Sequence, residues 1–202
     1  MSKVTIQGDA NGTGIFTIAS PNSNTDRTLV LPDEAGTMLT TAGVPTSAMP
    51  AGSVIQVVQS VYDTRDSTTS TSWVTIFNTS ITPTSSSSKI LVMVSFSGSH
   101  TNNNSGLVRV LRNSTPIGGG EGGASYEQNV WFNIRTSNNY YVATYAANHL
   151  DTPTTSSTIT YNVQMQAVGG TDFYINRTIS DSGTQSYDSP VASSITLMEI
   201  AG

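Results

Sequence analysis

Two carboxylates are the first residues in this chain whose type and spacing could do chemistry. Glu121 stands in the run GGGEGG, and Glu127 follows it by six positions in SYEQN. Paired carboxylates at a suitable separation act as acid and base, or as acid and nucleophile, in glycoside hydrolysis. The general acid also needs apolar surroundings that raise its pKa, and the glycines around Glu121 supply none. The sequence therefore favours two solvated loop charges over a catalytic pair.

The two histidines give a similar result. Neither His100 nor His149 has a second histidine or a cysteine at the spacing of metal ligands. His149 and Asp151 in HLD could supply two members of a catalytic triad or of a metal pair. We interpret them instead as loop residues beside the turn that contains Pro153. The chain has no cysteine, which removes disulfides, thiolate ligands and a cysteine nucleophile.

Two further motifs are weak matches to known sites. The run from Gly118 to Gly123 has the G-x-G-x-x-G spacing of a dinucleotide loop, but the strand-like ASYEQNVWF follows it where a helix is required. We predict a hairpin loop there. Asp63 and Asp66 flank Arg65 and lack the alternating acidic positions of a calcium loop. We therefore expect no enzyme, and no catalytic residue, cofactor or metal.

The elements that position these residues are predicted to be strands. No window has a helical period, while nine runs combine apolar and polar residues with turn signals between them. They predict an all-β, antiparallel two-sheet β-sandwich of jelly-roll type, with a closed barrel as the alternative. The runs are SVIQVVQSV, SWVTIFN, KILVMVSFSG, LVRVLRN, VWFNIRT, YYVATYA, STITYNVQMQAV, DFYINRT and SSITLMEI.

Individual runs make sharper predictions. In KILVMVSFSG, Leu91 and Met93 add a second apolar face, which predicts a central strand covered on both sides. In LVRVLRN, alternation places Arg109 on the same face as Leu107 and Leu111. Most aromatic residues fall inside the runs and are predicted to lie in the core, namely Trp73, Phe77, Phe96, Trp131, Phe132 and Phe173.

Three tyrosines stand apart from the predicted core. Tyr126 lies in a polar loop, while Tyr140 and Tyr141 follow SNN at the start of a predicted strand. Exposed tyrosine among Asn and Ser is suited to stacking on sugars or to packing against a protein partner. We predict these three as glycan or partner contacts, with scattered surface tyrosines as the alternative.

The overall composition excludes other functions. Only 10% of the residues are charged and the net charge is -5, so the chain lacks the positive field that attracts phosphate backbones, and we expect no nucleic acid partner. The sequence has no long apolar run and no secretory signal at its start, so we expect no membrane insertion. We expect the protein to be made and released in the cytoplasm, or to leave the cell by lysis.

The first part of the chain is predicted to be an assembly element. Residues 1–45 read as a short extended or β-hairpin arm, residues 46–52 as a connector and residues 53–202 as the sandwich domain. Two strands of about four residues are marginal in water, so the arm needs partners to bury its apolar side chains. We predict that other copies of the arm bury them, through the oligomerisation residues Leu29, Leu31, Met38 and Leu39.

The same arm resembles a known family. GIFTIASPNSNTDRTLVLPDEAGTMLT is similar to a segment of tail-fibre and related virion proteins of tailed bacteriophages, in which a T-L-x-L-P-D-x-x-G-T-L-x-T phrase precedes the distal domain. The later segments PAGSVIQVVQ, ITPTSSSSKILVMV, LDTPTTSSTITYNVQ and SSITLMEIAG also resemble the C-terminal domains of such proteins. The matching positions of the phrase are Thr28, Leu29, Leu31, Pro32, Asp33, Gly36, Thr37 and Thr40.

The resemblance implies a non-enzymatic structural protein of the virion. It implies a short homotrimeric fibre, attached to other virion proteins, whose sandwich contacts the host surface and its polysaccharide. Long tail fibres also carry a longer shaft and a tail-anchoring domain, and neither fits in residues 1–52. A capsid decoration protein or head fibre with a stabilising role is therefore the alternative.

Overall fold

The structure consists of two units, of which the second is described almost completely. A computed structural model of the chain describes residues 11–15, 17, 22, 24–26, 28, 44, 49–100, 104–123, 126–136 and 138–202. The units are Met1–Leu39 and Thr40–Gly202. The described residues of the first unit belong to no strand or helix, and Ile15 among them is 94% exposed.

The residues predicted to assemble the arm lie outside the described residues. These are Leu29, Leu31, Met38 and Leu39. Their role in oligomerisation stays a prediction, and so do the predicted division into residues 1–45, 46–52 and 53–202 and the homotrimer.

The second unit is all-β. Its described residues contain no α-helix, only 3₁₀ turns at Val168–Gly170 and Ser186–Asp188. The strands are β1 (Val54–Tyr62), β2 (Asp66–Thr68), β3 (Val74–Ile81), β4 (Lys89–His100), β5 (Gly106–Arg112), β6 (Thr115–Ile117), β7 (Phe132–Ile134), β8 (Ala143–Asp151), β9 (Ile159–Ala167), β10 (Phe173–Ile175) and β11 (Ser193–Ile200).

The strands form two antiparallel sheets that pack face to face. Sheet A contains β1-β11-β4-β8, and β10 pairs with the far end of β4 and carries β2. Sheet B contains β3-β9-β5, and both β6 and β7 pair with β5. Eight strands remain when the short β2, β6 and β10 are left out, and they can be counted one to eight along the chain. Strands one, eight, three and six (β1, β11, β4 and β8) form one sheet. Strands two, seven, four and five (β3, β9, β5 and β7) form the other. This is the double Greek key of a jelly roll, so the predicted sandwich is confirmed and the closed barrel is wrong.

The core lies between the sheets and follows the alternation of the strands. In β9 the buried residues Ile159, Tyr161, Val163 and Met165 alternate with half-buried polar ones, as the sequence predicts. β4 is a central strand of sheet A, as predicted. The prediction that its outer face is also covered is wrong, because Met93 on that face is 36% exposed. No further layer covers that face among the described residues of the second unit.

Each of the nine predicted runs contains a strand, but some boundaries differ. The three-residue strands β2 and β6 were not predicted, since three residues carry no detectable period. β8 begins at Ala143 and extends through His149 to Asp151, residues predicted to be in a loop. That prediction is wrong because the end of β8, ANHLD, has Leu150 as its one large apolar residue, so it shows little apolar alternation.

Candidate functional site

An open groove on the outer face of sheet B is the main concavity among the described residues, with a volume of about 1140 Å³. Its floor is formed by β5, β7 and β9, and one wall is a hairpin of residues 118–123 and 126–130, called here the groove hairpin. The other wall consists of loop residues at the end of the sheet, including Thr71, Ser105 and Gly169. The groove therefore lies on strands at its base and on loops at its rim.

Strand register places two amides on the floor of the groove. Leu107 of β5 pairs with Gln166 of β9 on one side and with Asn133 of β7 on the other. Paired residues of antiparallel strands point to the same face, so the three side chains form one row across the floor. The row offers an apolar centre flanked by two groups that can both donate and accept hydrogen bonds.

Gln166 has an unused acceptor in this row. Its side chain is 8% exposed, and its Nε2 donates a hydrogen bond to the carbonyl oxygen of Thr71. Its Oε1 is buried and has no hydrogen-bond partner among the residues that the structure describes. A buried acceptor without a partner costs the fold about 1–3 kcal/mol.

Arg109 is held rigidly in the next row. Its Nε donates to Gln164 Oε1 at 2.9 Å, and Gln164 Nε2 donates to Thr75 Oγ1 at 2.9 Å. Its guanidinium carbon lies 4.2 Å from the ring centroid of Trp73, within the range of a cation–π contact. The predicted shared face of Leu107 and Arg109 is confirmed. Trp73 was predicted to lie in the core and instead supports Arg109 on the outer face.

Arg109 also interacts with a charge on the groove hairpin. Burial lowers the pKa of Arg109, and the negative charge of Glu127 opposes this shift. The guanidinium stays protonated at neutral pH because its ordinary pKa is above about 12. The groove thus contains a fixed positive charge on its floor and a negative charge facing it from the wall.

The glycine run shapes the wall. Gly120 N donates to Val130 O at 3.1 Å and Asn129 N donates to Gly120 O at 3.0 Å, which joins the two legs of the groove hairpin. A Cβ on Gly119 would lie 2.0 Å from the carbonyl carbon of Asn129, so only glycine allows this approach. The tip is closed by Tyr126 N donating to Gly123 O at 3.1 Å. The hairpin predicted from these glycines is present, and no helix follows it.

The two candidate carboxylates meet in this groove. Glu121 and Glu127 both line it, and both are exposed to solvent. A glycosidase acid needs a desolvated carboxyl, and neither side chain has such surroundings. The arrangement provides negative charge and hydrogen-bond acceptors at the wall of the groove.

The three candidate tyrosines occupy two different places. Tyr126 lines the groove at the tip of its hairpin and is 79% exposed. Tyr140 packs edge-on against Tyr187 with ring centroids 5.0 Å apart, and Tyr141 beside it is 65% exposed. Neither Tyr140 nor Tyr141 is among the residues that line the groove. The sequence grouped the three by composition, and the structure assigns only Tyr126 to the groove.

The histidine and aspartate candidates lie elsewhere, within the framework of the sandwich. Asp151 is buried at the end of β8 and accepts hydrogen bonds from Tyr161 and Arg112. His149 precedes it in β8 and packs against Gly118. His100 is buried at the end of β4 with its ring 5.7 Å from that of Phe173. These contacts hold strands and loops together rather than forming a triad.

The described part of the chain contains no group of three or more His, Asp or Glu residues that could hold a metal ion. It also contains no helix with the length and apolar character needed to cross a membrane. Comparisons of the sequence with protein-family models and with curated proteins found no match. The groove must therefore be interpreted from its own geometry.

Proposed function

We propose that this chain is a non-enzymatic structural protein of a bacteriophage virion, a short homotrimeric fibre that presents its β-sandwich to the host surface. The observation that carries the proposal is the open groove, whose floor places Leu107 between polar side chains and whose wall ends in the exposed Tyr126. Ligand sites commonly occupy about 300–1,000 Å³, so a groove of about 1140 Å³ has room for a segment of an extended polymer.

The fixed side chains of the groove support binding rather than catalysis. Arg109 is held by Gln164 and Trp73, and Gln166 is held by Thr71. Side chains fixed before a ligand arrives lose little conformational entropy on binding, which favours affinity. The carboxylates beside them are solvated, and a hydrolytic acid would have to be desolvated.

The arm supports attachment and oligomerisation. Its phrase resembles the segment that precedes the distal domain in tail-fibre proteins, and it includes Leu29, Leu31, Met38 and Leu39. Exposed Ile15 adds another apolar side chain that an assembled arm would cover. On this proposal the protein is located in the virion, after assembly in the host cell.

One feature favours the alternative, a capsid decoration protein or head fibre. Val57, Met198, Leu91 and Leu150 are register partners, so they form an apolar row across β1, β11, β4 and β8 on the outer face of sheet A. Val57 and Leu150 at its ends are exposed. A flat apolar row of this kind suits contact with another protein, such as a shell subunit.

The test of the proposed function combines mass, adsorption and chemistry. Light scattering of the purified full chain should give three times its 21.3 kDa mass. The chain should adsorb to host cells and to their extracted surface polysaccharide, without releasing new reducing ends. A monomeric mass would contradict the trimer, and absence of adsorption at micromolar concentration would contradict host contact. Release of reducing ends would show a depolymerase and assign Glu121 and Glu127 to catalysis.

The alternative has its own test. Labelled antibody against the sandwich should mark the tail in electron micrographs of the virion if the chain is a tail fibre. Labelling of the capsid alone, together with loss of head incorporation when residues 1–45 are deleted, would support decoration instead. Retention of the shortened chain on heads would exclude an attachment role for the arm.

A further inference from the structure

We propose that the groove on the outer face of sheet B binds an uncharged saccharide, whose hydroxyl groups pair with Asn133, Arg109 and Glu127. This inference rests on the proposed contact with the host surface and gives its chemical class and its position on the fold. It is carried by the strand register, by the polar groups and charges that line the groove, and by the exposed ring of Tyr126 at its rim.

The first step concerns the two amides on the floor. The amide nitrogen of Gln166 is used by the carbonyl of Thr71 and its oxygen is buried, so this side chain shapes the floor without pairing with an occupant. Asn133, on the other side of Leu107, is exposed and offers an acceptor and two donors. A phosphate or carboxylate ligand has only acceptors and would leave the amide oxygen of Asn133 unpaired. A ligand with O–H groups pairs with both halves of the amide.

The second step concerns the other polar groups. Arg109 offers donors only, exposed Glu127 offers acceptors only, and Asn133 on the floor offers both. A sugar hydroxyl donates and accepts at once, so adjacent hydroxyls of one ring can pair with all three kinds of group.

The third step excludes acidic polymers. The charged residues that line the groove are Arg109, Glu121 and Glu127, one positive and two negative, so the lining is negative overall. The whole chain is negative as well, at -5. An acidic polysaccharide would be repelled on approach and would find one cation for two anions. An uncharged saccharide avoids this cost.

The fourth step is the aromatic surface at the rim. Tyr126 is 79% exposed at the tip of the groove hairpin. The C–H face of a sugar ring packs on the flat face of an aromatic ring, while the hydroxyls around the ring edge remain free for the groove floor. Tyr126 and Asn133 would therefore contact the same chain of sugar units from two sides.

The experiment measures binding of the full chain to defined polymers by calorimetry. The uncharged probes are dextran, mannan and galactan, and the acidic probes are polygalacturonate and hyaluronate. At least one uncharged probe should bind, and neither acidic probe should. Tyr126→Ala and Asn133→Ala, both at exposed positions, should each weaken binding by about fivefold or more. Tyr187→Ala is the matched control, an exposed tyrosine outside the groove, and should bind as the parent does.

The double substitution of Glu121→Gln and Glu127→Gln should allow acidic probes to bind, because it leaves Arg109 as the charge of the lining.

The outcomes separate this inference from the proposed function. Binding that prefers acidic probes, or that Tyr126→Ala and Asn133→Ala leave unchanged, would overturn the saccharide groove while host contact stands. Adsorption to host cells with no binding of any uncharged probe would have the same meaning. Failure to adsorb to host cells at all would overturn the proposed function itself.

Discussion

The hydroxyl of Tyr161 donates a 2.7 Å hydrogen bond to Oδ2 of Asp151, and this contact joins the two sheets of the sandwich through buried groups. Tyr161 belongs to β9 in sheet B, and Asp151 ends β8 in sheet A. Arg112 Nη1 donates to the other oxygen, Oδ1, at 2.8 Å. Burial, together with the hydrogen bond and the charge of Asp151, raises the pKa of Tyr161 far above its ordinary value. The phenol therefore stays protonated and remains a donor at neutral pH.

Tyr161→Phe should destabilise the sandwich, because the carboxylate of Asp151 loses one of its two charge-assisted partners while remaining buried. We expect a loss of about 1–3 kcal/mol in the free energy of unfolding, measured by urea denaturation. Tyr187→Phe is the control, since it removes the same hydroxyl from an exposed ring. Equal stabilities of the two variants would show that the Tyr161–Asp151 contact adds nothing to folding.

The sequence predicts part of this arrangement but not the pairing. Alternation in STITYNVQMQAV places Tyr161 on the buried face of β9, as observed. Asp151 was predicted to be in a loop, because the turn at Pro153 and the polar run ANH hid the end of β8. Which buried hydroxyl meets which carboxylate depends on how one sheet lies over the other. No local pattern in the sequence records that.

The buried carboxylate of Glu199 should make the stability of the folded state depend on pH. It is fully buried on the inner face of β11, and its carboxylate accepts hydrogen bonds from Gln56 Nε2 at 2.6 Å and from N and Oγ1 of Thr84, each at 2.7 Å. Burial by itself raises the pKa of Glu199, and the hydrogen bonds from Gln56 and Thr84 outweigh it and hold the pKa below its ordinary value.

A carboxyl whose pKa is lower in the folded state stabilises the fold above its unfolded pKa. That contribution is lost as the pH falls through the folded value. The urea midpoint should therefore decrease as the pH is lowered below the ordinary value of 4.5. Glu199→Gln should show a weaker decrease over the same range, because its side chain does not titrate. A variant with the same acid dependence as the parent would assign that dependence to other carboxylates.

Gly119→Ala should open the groove hairpin. The new Cβ would lie 2.0 Å from the carbonyl carbon of Asn129, so the two legs must separate. Gly120→Ala is the matched control in the same run, since its Cβ would meet nothing closer than the carbonyl oxygen of Val130 at 3.9 Å. We expect faster hydrogen exchange at the amide of Asn129 in Gly119→Ala, and near-parental exchange in Gly120→Ala. Similar exchange in both variants would contradict the close approach of the legs.

The groove could be predicted from the sequence only in its parts. The glycine run predicts the hairpin, and the isolated Tyr126 predicts an exposed aromatic ring. Gln166 and Asn133 were missed, because a polar residue at every second position of a strand is what an ordinary wet face shows. They become candidates only when register places them on either side of Leu107 and the hairpin encloses them. Those contacts join segments that are distant in the chain, so no local pattern in the sequence predicts them.

Arg109→Lys tests whether the groove depends on the shape of its cation or only on its charge. Lysine keeps the positive charge but loses the planar donor group that bonds Gln164 and stacks on Trp73. If the rigid fork orients the ligand, binding of the uncharged probe should weaken by about fivefold while the urea midpoint changes little. Arg65→Lys is the control, since Arg65 forms an exposed ion pair with Asp181 that does not line the groove. Unchanged binding in Arg109→Lys would show that only the charge of Arg109 contributes to binding of the probe. In that case Arg109→Met, which removes the charge, should abolish that contribution.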